Sequence, residues 1–381
     1  MLAPFRTPSS APTSSLGVLT FHRCINYGSY WQTRCLVEGL QARGHHVQVL
    51  DHRSRRVDWA EWRCALNPVL PLPTSAAERS AYARKTRALL QAVAALPLSR
   101  PFSLEDPVQM APVDTVVVGS DEVWNLAHPW YGWCSLFYGE GLRARRRIAY
   151  AASFGNYSAE RGLPAPWRGW LGNFDAIAVR DANAQALVTG ALGTAPPVVL
   201  DPCLQFPHVG ASALTGGGAA KPHVAVYGHN FSPGFAALLR AWADRRGLVL
   251  ASIGYRNDWC DTQWLTAGPE DFARFMARAD AVATNFFHGC VFALRHHRPF
   301  VCEESSYRAV KIRHLLALME ADDHLAGPGA SSADIDARLS QAPSLAVEAR
   351  LQVLRAASDA WLDEALDVAP EQAEGPCHAV A

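Results

Sequence analysis

Ala281-Val282-Ala283-Thr284-Asn285-Phe286-Phe287-His288-Gly289 decides how this chain is read. A short apolar strand breaks just before a His-Gly pair, and the run 291–294 continues it as an amphipathic helix. Such a turn presents one imidazole at a helix N-terminus, where backbone N–H groups and the helix dipole favour an anion. The chemistry is expected there.

Working outward, 223–227 reads as a strand, 234–246 as a helix, 248–253 as a strand, and 269–279 as a helix with Phe272, Phe275, Met276 and Ala279 on one face. Beyond His297 come a strand over 300–302 and a helix from about 307 to 319. The first half follows the same logic. A strand over 16–21 leads through Asn26-Tyr27-Gly28 into a helix over 29–43 that stops at Gly44, and a strand over 47–50 follows. Further strands are expected at 115–118, 147–152, 176–179 and 198–200. The alternation predicts an α/β chain with parallel sheets covered by helices. Two Rossmann-like sheets joined by a short linker would leave a cleft at the carboxyl ends of their strands.

The expected boundaries are a disordered extension over 1–15, an N-terminal domain over 16–210, a linker over 211–221 and a C-terminal domain over 222–330. The N-terminal domain is interrupted by a helical insertion over 51–110 with no clear strand pattern. Helices over 331–368 either pack back across both domains or form a homo-oligomer contact, and a flexible tail covers 369–381. The glycine run Gly216-Gly217-Gly218 reads as linker, because a dinucleotide fingerprint follows a strand and opens a helix.

Composition narrows the function. With 35 Lys plus Arg against 35 Asp plus Glu, no global field draws the protein to nucleic acid, so an anion site must be local. The nine cysteines are scattered without a C-x-x-C pair and read as reduced thiols of a cytoplasmic protein. The first 15 residues lack the apolar core of a signal peptide, and no membrane span is expected.

Several residues could carry chemistry. Arg180, in Val179-Arg180-Asp181, ends a strand where its planar fork can grip a carboxylate or phosphate. Arg308 and Lys311 share a helix face near His288, although a solvated basic face explains them equally. Val118-Gly119-Ser120-Asp121-Glu122-Val123-Trp124-Asn125 again follows a strand. There Ser120, Asp121 and Asn125 could hold sugar hydroxyls while Trp124 stacks on a ring, or Ser120 or Asp121 could simply cap a helix. Asn26 and Gly28 read either as an oxyanion contact or as a tight turn. His296 and His297 fit a helix C-terminus better than a zinc site, so no metal is expected, and Asp322 and Asp323 read as surface.

In this order the motifs resemble the polysaccharide pyruvyl transferase family: Leu19-Thr20-Phe21-His22 leading to Asn26-Tyr27-Gly28, the Val118 to Asn125 run, Ser153-Phe154-Gly155, Val179-Arg180-Asp181, Leu200-Asp201-Pro202, and Phe287-His288-Gly289 followed by Arg298-Pro299-Phe300. The resemblance implies two Rossmann-like domains in a GT-B-like arrangement with phosphoenolpyruvate bound in the interdomain cleft, Arg180, His288 and Lys311 around it and Arg308 competing with Lys311. It also implies a saccharide diol as acceptor and no cofactor. Ser153, Asn285 and Gly289 join the implied substrate-binding set, with Asn285 and Phe286 standing where the family often has Asp and Ser. A lipid-linked saccharide, a nucleotide sugar and a small diol all satisfy the acceptor chemistry, and only the first would bring the protein to the inner membrane face. The competing readings are a metal-independent GT-B glycosyltransferase using a sugar nucleotide and a catalytically silent member that binds a saccharide or a partner.

Overall fold

The computed structural model describes residues 15–211, 222–304 and 309–367. Its first half contains β1 (Ser15–Leu19), α1 (Tyr27–Gln41), β2 (His46–Val49), β3 (His52–Arg53), α2 (Arg55–Leu66), α3 (Ala76–Ala94), β4 (Phe102–Ser103), β5 (Val113–Val118), β6 (Ala144–Ala152), α4 (Ala165–Leu171), β7 (Ala176–Val179), α5 (Ala182–Leu192) and α6 (Pro202–Gln205). The second half contains β8 (His223–Tyr227), α7 (Pro233–Arg246), β9 (Val249–Ile253), β10 (Thr262–Trp264), α8 (Pro269–Arg278), β11 (Ala281–Thr284), α9 (Phe287–Arg295), β12 (Phe300–Glu303), α10 (Ala309–Leu318), β13 (Leu325–Ala326), α11 (Ser332–Leu339) and α12 (Leu345–Asp367).

Two sheets carry the fold. One runs β2-β1-β5-β6-β7 and the other β10-β9-β8-β11-β12-β13, with the strands paired in parallel throughout. Parallel strands need both faces covered, and the central ones accordingly read as unbroken apolar runs: Val116, Val117 and Val118 of β5 and Ala281, Val282 and Ala283 of β11 are fully buried. Local signals set the helix ends. Asn26 accepts the Ser29 N–H at 2.8 Å to start α1, while Ser232 caps α7 ahead of Pro233 and Gly247 ends it in the left-handed region.

The sheets share one apolar core, which runs from Trp31 and Leu36 of α1 through Leu204 of α6 to Phe272 of α8 and Phe292 of α9. Polar contacts pin the same seam. The Tyr27 hydroxyl donates to Ala267 O at 2.8 Å, Trp31 Nε1 donates to Pro269 O at 2.9 Å, and Arg34 pairs with Glu270. Helix α12 packs back across both halves: Arg350 reaches Leu318 O at 3.1 Å, and Arg355 reaches Leu204 O at 2.7 Å. Its Ser358 hydroxyl accepts the Leu200 N–H at 3.0 Å.

The structure departs from the sequence reading at the insertion, at 198–200 and at Ser15, and it adds the unexpected strands β10 and β13. The insertion does contain strands, because β3 and β4 pair in parallel at its two ends and close it as a loop on the sheet. The strand expected at 198–200 is reduced to a single bridge between Val179 and Val198. Ser15, expected in the disordered extension, begins β1. Residues 1–14, 212–221 and 368–381 lie outside the described residues and include most of the expected extension, linker and tail.

Candidate active site

A cavity of about 540 Å³ lies between the two sheets. Both sheets point carboxyl ends at it, so loops after parallel strands supply its polar groups, as open α/β sheets do. Asn26 and Ser29 come from the start of α1, Asp121 and Glu122 from the loop after β5, Arg180 from the end of β7, and His288 from the first turn of α9. Lys311 enters from α10.

Asp201, buried behind the lining, joins two of its residues. Its Oδ2 accepts from Arg180 Nη1 at 3.0 Å and lies 3.7 Å from His288 Nε2, an ion-pair distance too long for a hydrogen bond. Burial alone would raise the Asp201 carboxyl, but the facing His288 and Arg180 and the Cys203 N–H outweigh it and hold the group well below the usual carboxylate range. Arg180 also lies 3.9 Å from Asp121 and stacks over the Phe287 ring at 4.5 Å. Burial opposes its charge, yet Asp201 and Asp121 prevail and its pKa is raised. The His288 ring rests on Gly28, where an added Cβ would overlap it. Glycine is therefore needed at position 28 for close approach.

Asp201, Cys203 and His288 offer ligand atoms within 4.8 Å of one another, the one such convergence among the described residues. Arg180 already supplies the positive charge there, and burial holds the Cys203 thiol protonated. The donor set suits an anion approaching His288 and Arg180 better than a resident cation.

On the rim, Lys311 Nζ pairs with Glu122, whose second oxygen accepts from Asn125 Nδ2 at 2.8 Å. Burial pushes Glu122 up, but Lys311 dominates and brings it down to about 2. Asp121 accepts from the Ser29 hydroxyl at 2.9 Å.

Other expected contacts are reassigned. Trp124 is fully buried, donates its indole N–H to Phe137 O at 2.8 Å and packs on Phe154, so it has no face for a sugar. Ser120 and Asp121 cap no helix, because none begins there. Ser120 is buried and donates to Gln32 at 2.9 Å, and Ser153 is buried and donates to Asp181 at 2.5 Å. Asn125 spends its amide on Glu122 and Asn156. Asn285 is buried and donates to His229 O at 2.9 Å. Gly289 admits the Thr284 hydroxyl where a side chain would collide. These residues hold the site's backbone in place. Arg308 lies outside the described residues, so the competition with Lys311 finds no structural counterpart. Asp322 and Asp323 are exposed.

The insertion forms the facing wall, which the sequence did not reveal. Glu61 of α2 accepts the Ile25 N–H at 2.9 Å and the Trp130 indole N–H at 2.8 Å, with burial raising its pKa. Lys85 of α3 borders the cavity beside Tyr255, and Tyr227, Phe286 and His229 complete an aromatic floor. Glu122, beside Asp121 in the loop after β5, also borders the cavity. The insertion is fastened to the second sheet by Arg256, which pairs with Glu78 at 2.8 Å.

Two Rossmann-like parallel sheets over a cleft lined by Arg180, His288 and Lys311 define a GT-B-like α/β protein. The model of the polysaccharide pyruvyl transferase family matches residues 26–307. The chain belongs to that family. No curated protein sequence matches it. Similar solved structures include the S. aureus MnaA–UDP complex, at 12% identity, TM-score 0.48, and coverage of 84% of this chain and 86% of that one. The UDP-GlcNAc 2-epimerase from Neisseria meningitidis bound to UDP-GlcNAc has 10% identity, TM-score 0.47, and coverage of 92% and 94%. The Streptomyces sp. SF2575 glycosyltransferase SsfS6 with thymidine diphosphate has 12% identity, TM-score 0.43, and coverage of 91% and 96%. Among the described residues no helix is long and apolar enough to cross a membrane.

Proposed function

We propose that this protein transfers the pyruvyl group of phosphoenolpyruvate to two hydroxyls of a saccharide, forming a cyclic ketal and releasing phosphate. The observation that carries the reading is the meeting of Arg180 and His288 on Asp201 at the base of the cleft, with Lys311 on its rim. Phosphoenolpyruvate brings a carboxylate and a phosphate, and a near-neutral chain gathers cations where such a ligand would lie.

In the reaction, His288 protonates C3 of the enol and makes C2 electrophilic. One sugar hydroxyl adds to C2, the C2–O bond to phosphate breaks, and the second hydroxyl closes the ring. Two hydroxyl protons are lost; one balances the proton given to C3 and the other leaves with phosphate. Arg180 and Lys311 offset the charge of the donor and of the departing phosphate. No step calls on a metal or redox cofactor.

Calorimetric titration of phosphoenolpyruvate into the wild type and His288→Ala, with a uridine-diphosphate sugar for comparison, tests the assignment. Binding to the wild type that weakens at least tenfold in the variant is expected. Equal affinity in both proteins, or a response to the nucleotide sugar alone, would overturn it.

A further inference from the structure

The chain writes its basic residues as arginine. Of 35 Lys plus Arg only three, Lys85, Lys221 and Lys311, are lysine, and two of these three border the same cavity. Lys311 has a carboxylate partner in Glu122. Among the described residues Lys85 has none within ion-pair distance: Nζ donates to Gly254 O at 2.7 Å and otherwise faces the rings of Tyr255 at 4.5 Å, Tyr82 at 5.0 Å and Tyr27 at 5.9 Å. The residue is 3% exposed. An ammonium has three N–H donors, and one is accounted for.

A simple seat for an anion would be served by arginine, which this chain uses almost everywhere else. Arginine cannot give up its proton, whereas a desolvated lysine can, and that is how lysines become bases. The groups packed around Lys85 do not oppose this. Tyr82 lies on its own helix, Tyr27 on α1 and Tyr255 after β9, while the nearby Glu78 and Arg256 neutralise each other. We infer that Lys85, supplied by the insertion, is the general base that takes the proton from the acceptor hydroxyl as its oxygen bonds to C2 of the pyruvyl donor.

The inference rests on the pyruvyl-transfer reading and adds its missing proton acceptor. The amine accepts the proton of the first hydroxyl, and the resulting ammonium returns it to solvent after phosphate leaves. Burial lowers the Lys85 pKa to about 7, so near neutrality a large share of the amine is free to act. The rate should rise as pH increases through about 7.

Two measurements on the full chain test it. Reductive methylation with a carbon-13 label marks each lysine, and the signal missing from Lys85→Arg identifies Lys85. Its titration should be centred near 7, and a signal unchanged up to pH 9 would overturn the inference. Phosphate release from phosphoenolpyruvate is then followed with methyl glucoside, galactoside and mannoside as diols, and with water alone. Lys85→Arg keeps the charge but not the base. It should bind phosphoenolpyruvate as the wild type does, release phosphate roughly 10²- to 10⁴-fold more slowly, and lose the acid limb. A Lys85→Arg rate within twofold of wild type with the same pH profile would show a charge seat instead and sink the proposal. Should none of these acceptors support turnover in the wild type, the titration alone decides. Failure of the wild type to bind phosphoenolpyruvate would count against the pyruvyl donor, not against a titrating Lys85.

Discussion

On one wall of the cleft Arg180, His288 and Lys311 each face a carboxylate, either Asp201 or Glu122, whereas on the other wall Lys85 faces three aromatic rings and one backbone carbonyl. A cation held against a carboxylate keeps its charge and its position, and an incoming anion has to compete with that partner. A buried cation without one is destabilised in its charged form and becomes a group that gains and loses a proton. On the proposed reaction the two walls would divide the work: Arg180, His288 and Lys311 hold the donor and His288 gives C3 its proton, while the insertion takes a proton from the acceptor.

The comparison breaks most visibly at Arg180. Arg180→Met leaves the Asp201 carboxylate buried beside His288 with no permanent cation, and removal of one partner from a buried ion pair costs about 3–5 kcal/mol. Urea unfolding should show that loss, and adding Asp201→Asn should restore part of it. A loss under ~1 kcal/mol would mean that water or other groups compensate the Asp201 charge, and the strand-end wall would then be no more fixed than the insertion wall.

Gly28→Ala is the next largest effect and acts on geometry alone. The new Cβ would overlap the His288 ring and push the imidazole from its place beside Asp201. A displacement on the order of 1 Å at a reacting group can cost roughly 10²-fold in turnover. Phosphate release should fall by about that factor while far-ultraviolet dichroism is unchanged. Retained turnover would show that His288 need not sit where Gly28 places it.

These two positions also show what could be read in the sequence and what could not. Arg180 and His288 sit where parallel strands end, and an alternating strand-helix pattern brings such ends together whatever the loops contain. Trp124, Ser120, Ser153 and Asn285 lie at the same kind of position, yet their side chains turn inward and fill the core or brace the loops. Strand-end residues of the same types can face a ligand or the core, and letters alone do not say which. Lys85 and Glu61 were illegible for a different reason. They sit on insertion helices, and the Lys85 ammonium meets its hydrogen-bond partner, Gly254, 169 residues away across a tertiary contact. The scarcity of lysine was the one available sign, and it names a residue type rather than a place.

Glu122→Gln should have the smallest effect, and its two parts have opposite signs. Glu122 and Lys311 are both partly exposed, so loss of the pair should cost about 1 kcal/mol or less. Because the Glu122 pKa is lowered to about 2 in the folded protein, the pair's contribution is full above the ordinary glutamate value of about 4.3 and fades as pH falls towards 2. The variant should lack that part of the acid sensitivity in unfolding curves recorded between those limits. Removal of the competing carboxylate also frees Lys311 for the donor, so phosphoenolpyruvate should bind up to about tenfold more tightly at neutral pH. Weaker donor binding in Glu122→Gln would assign Glu122 to positioning the Lys311 ammonium, and the strand-end wall would then depend on its carboxylates for alignment as well as for charge.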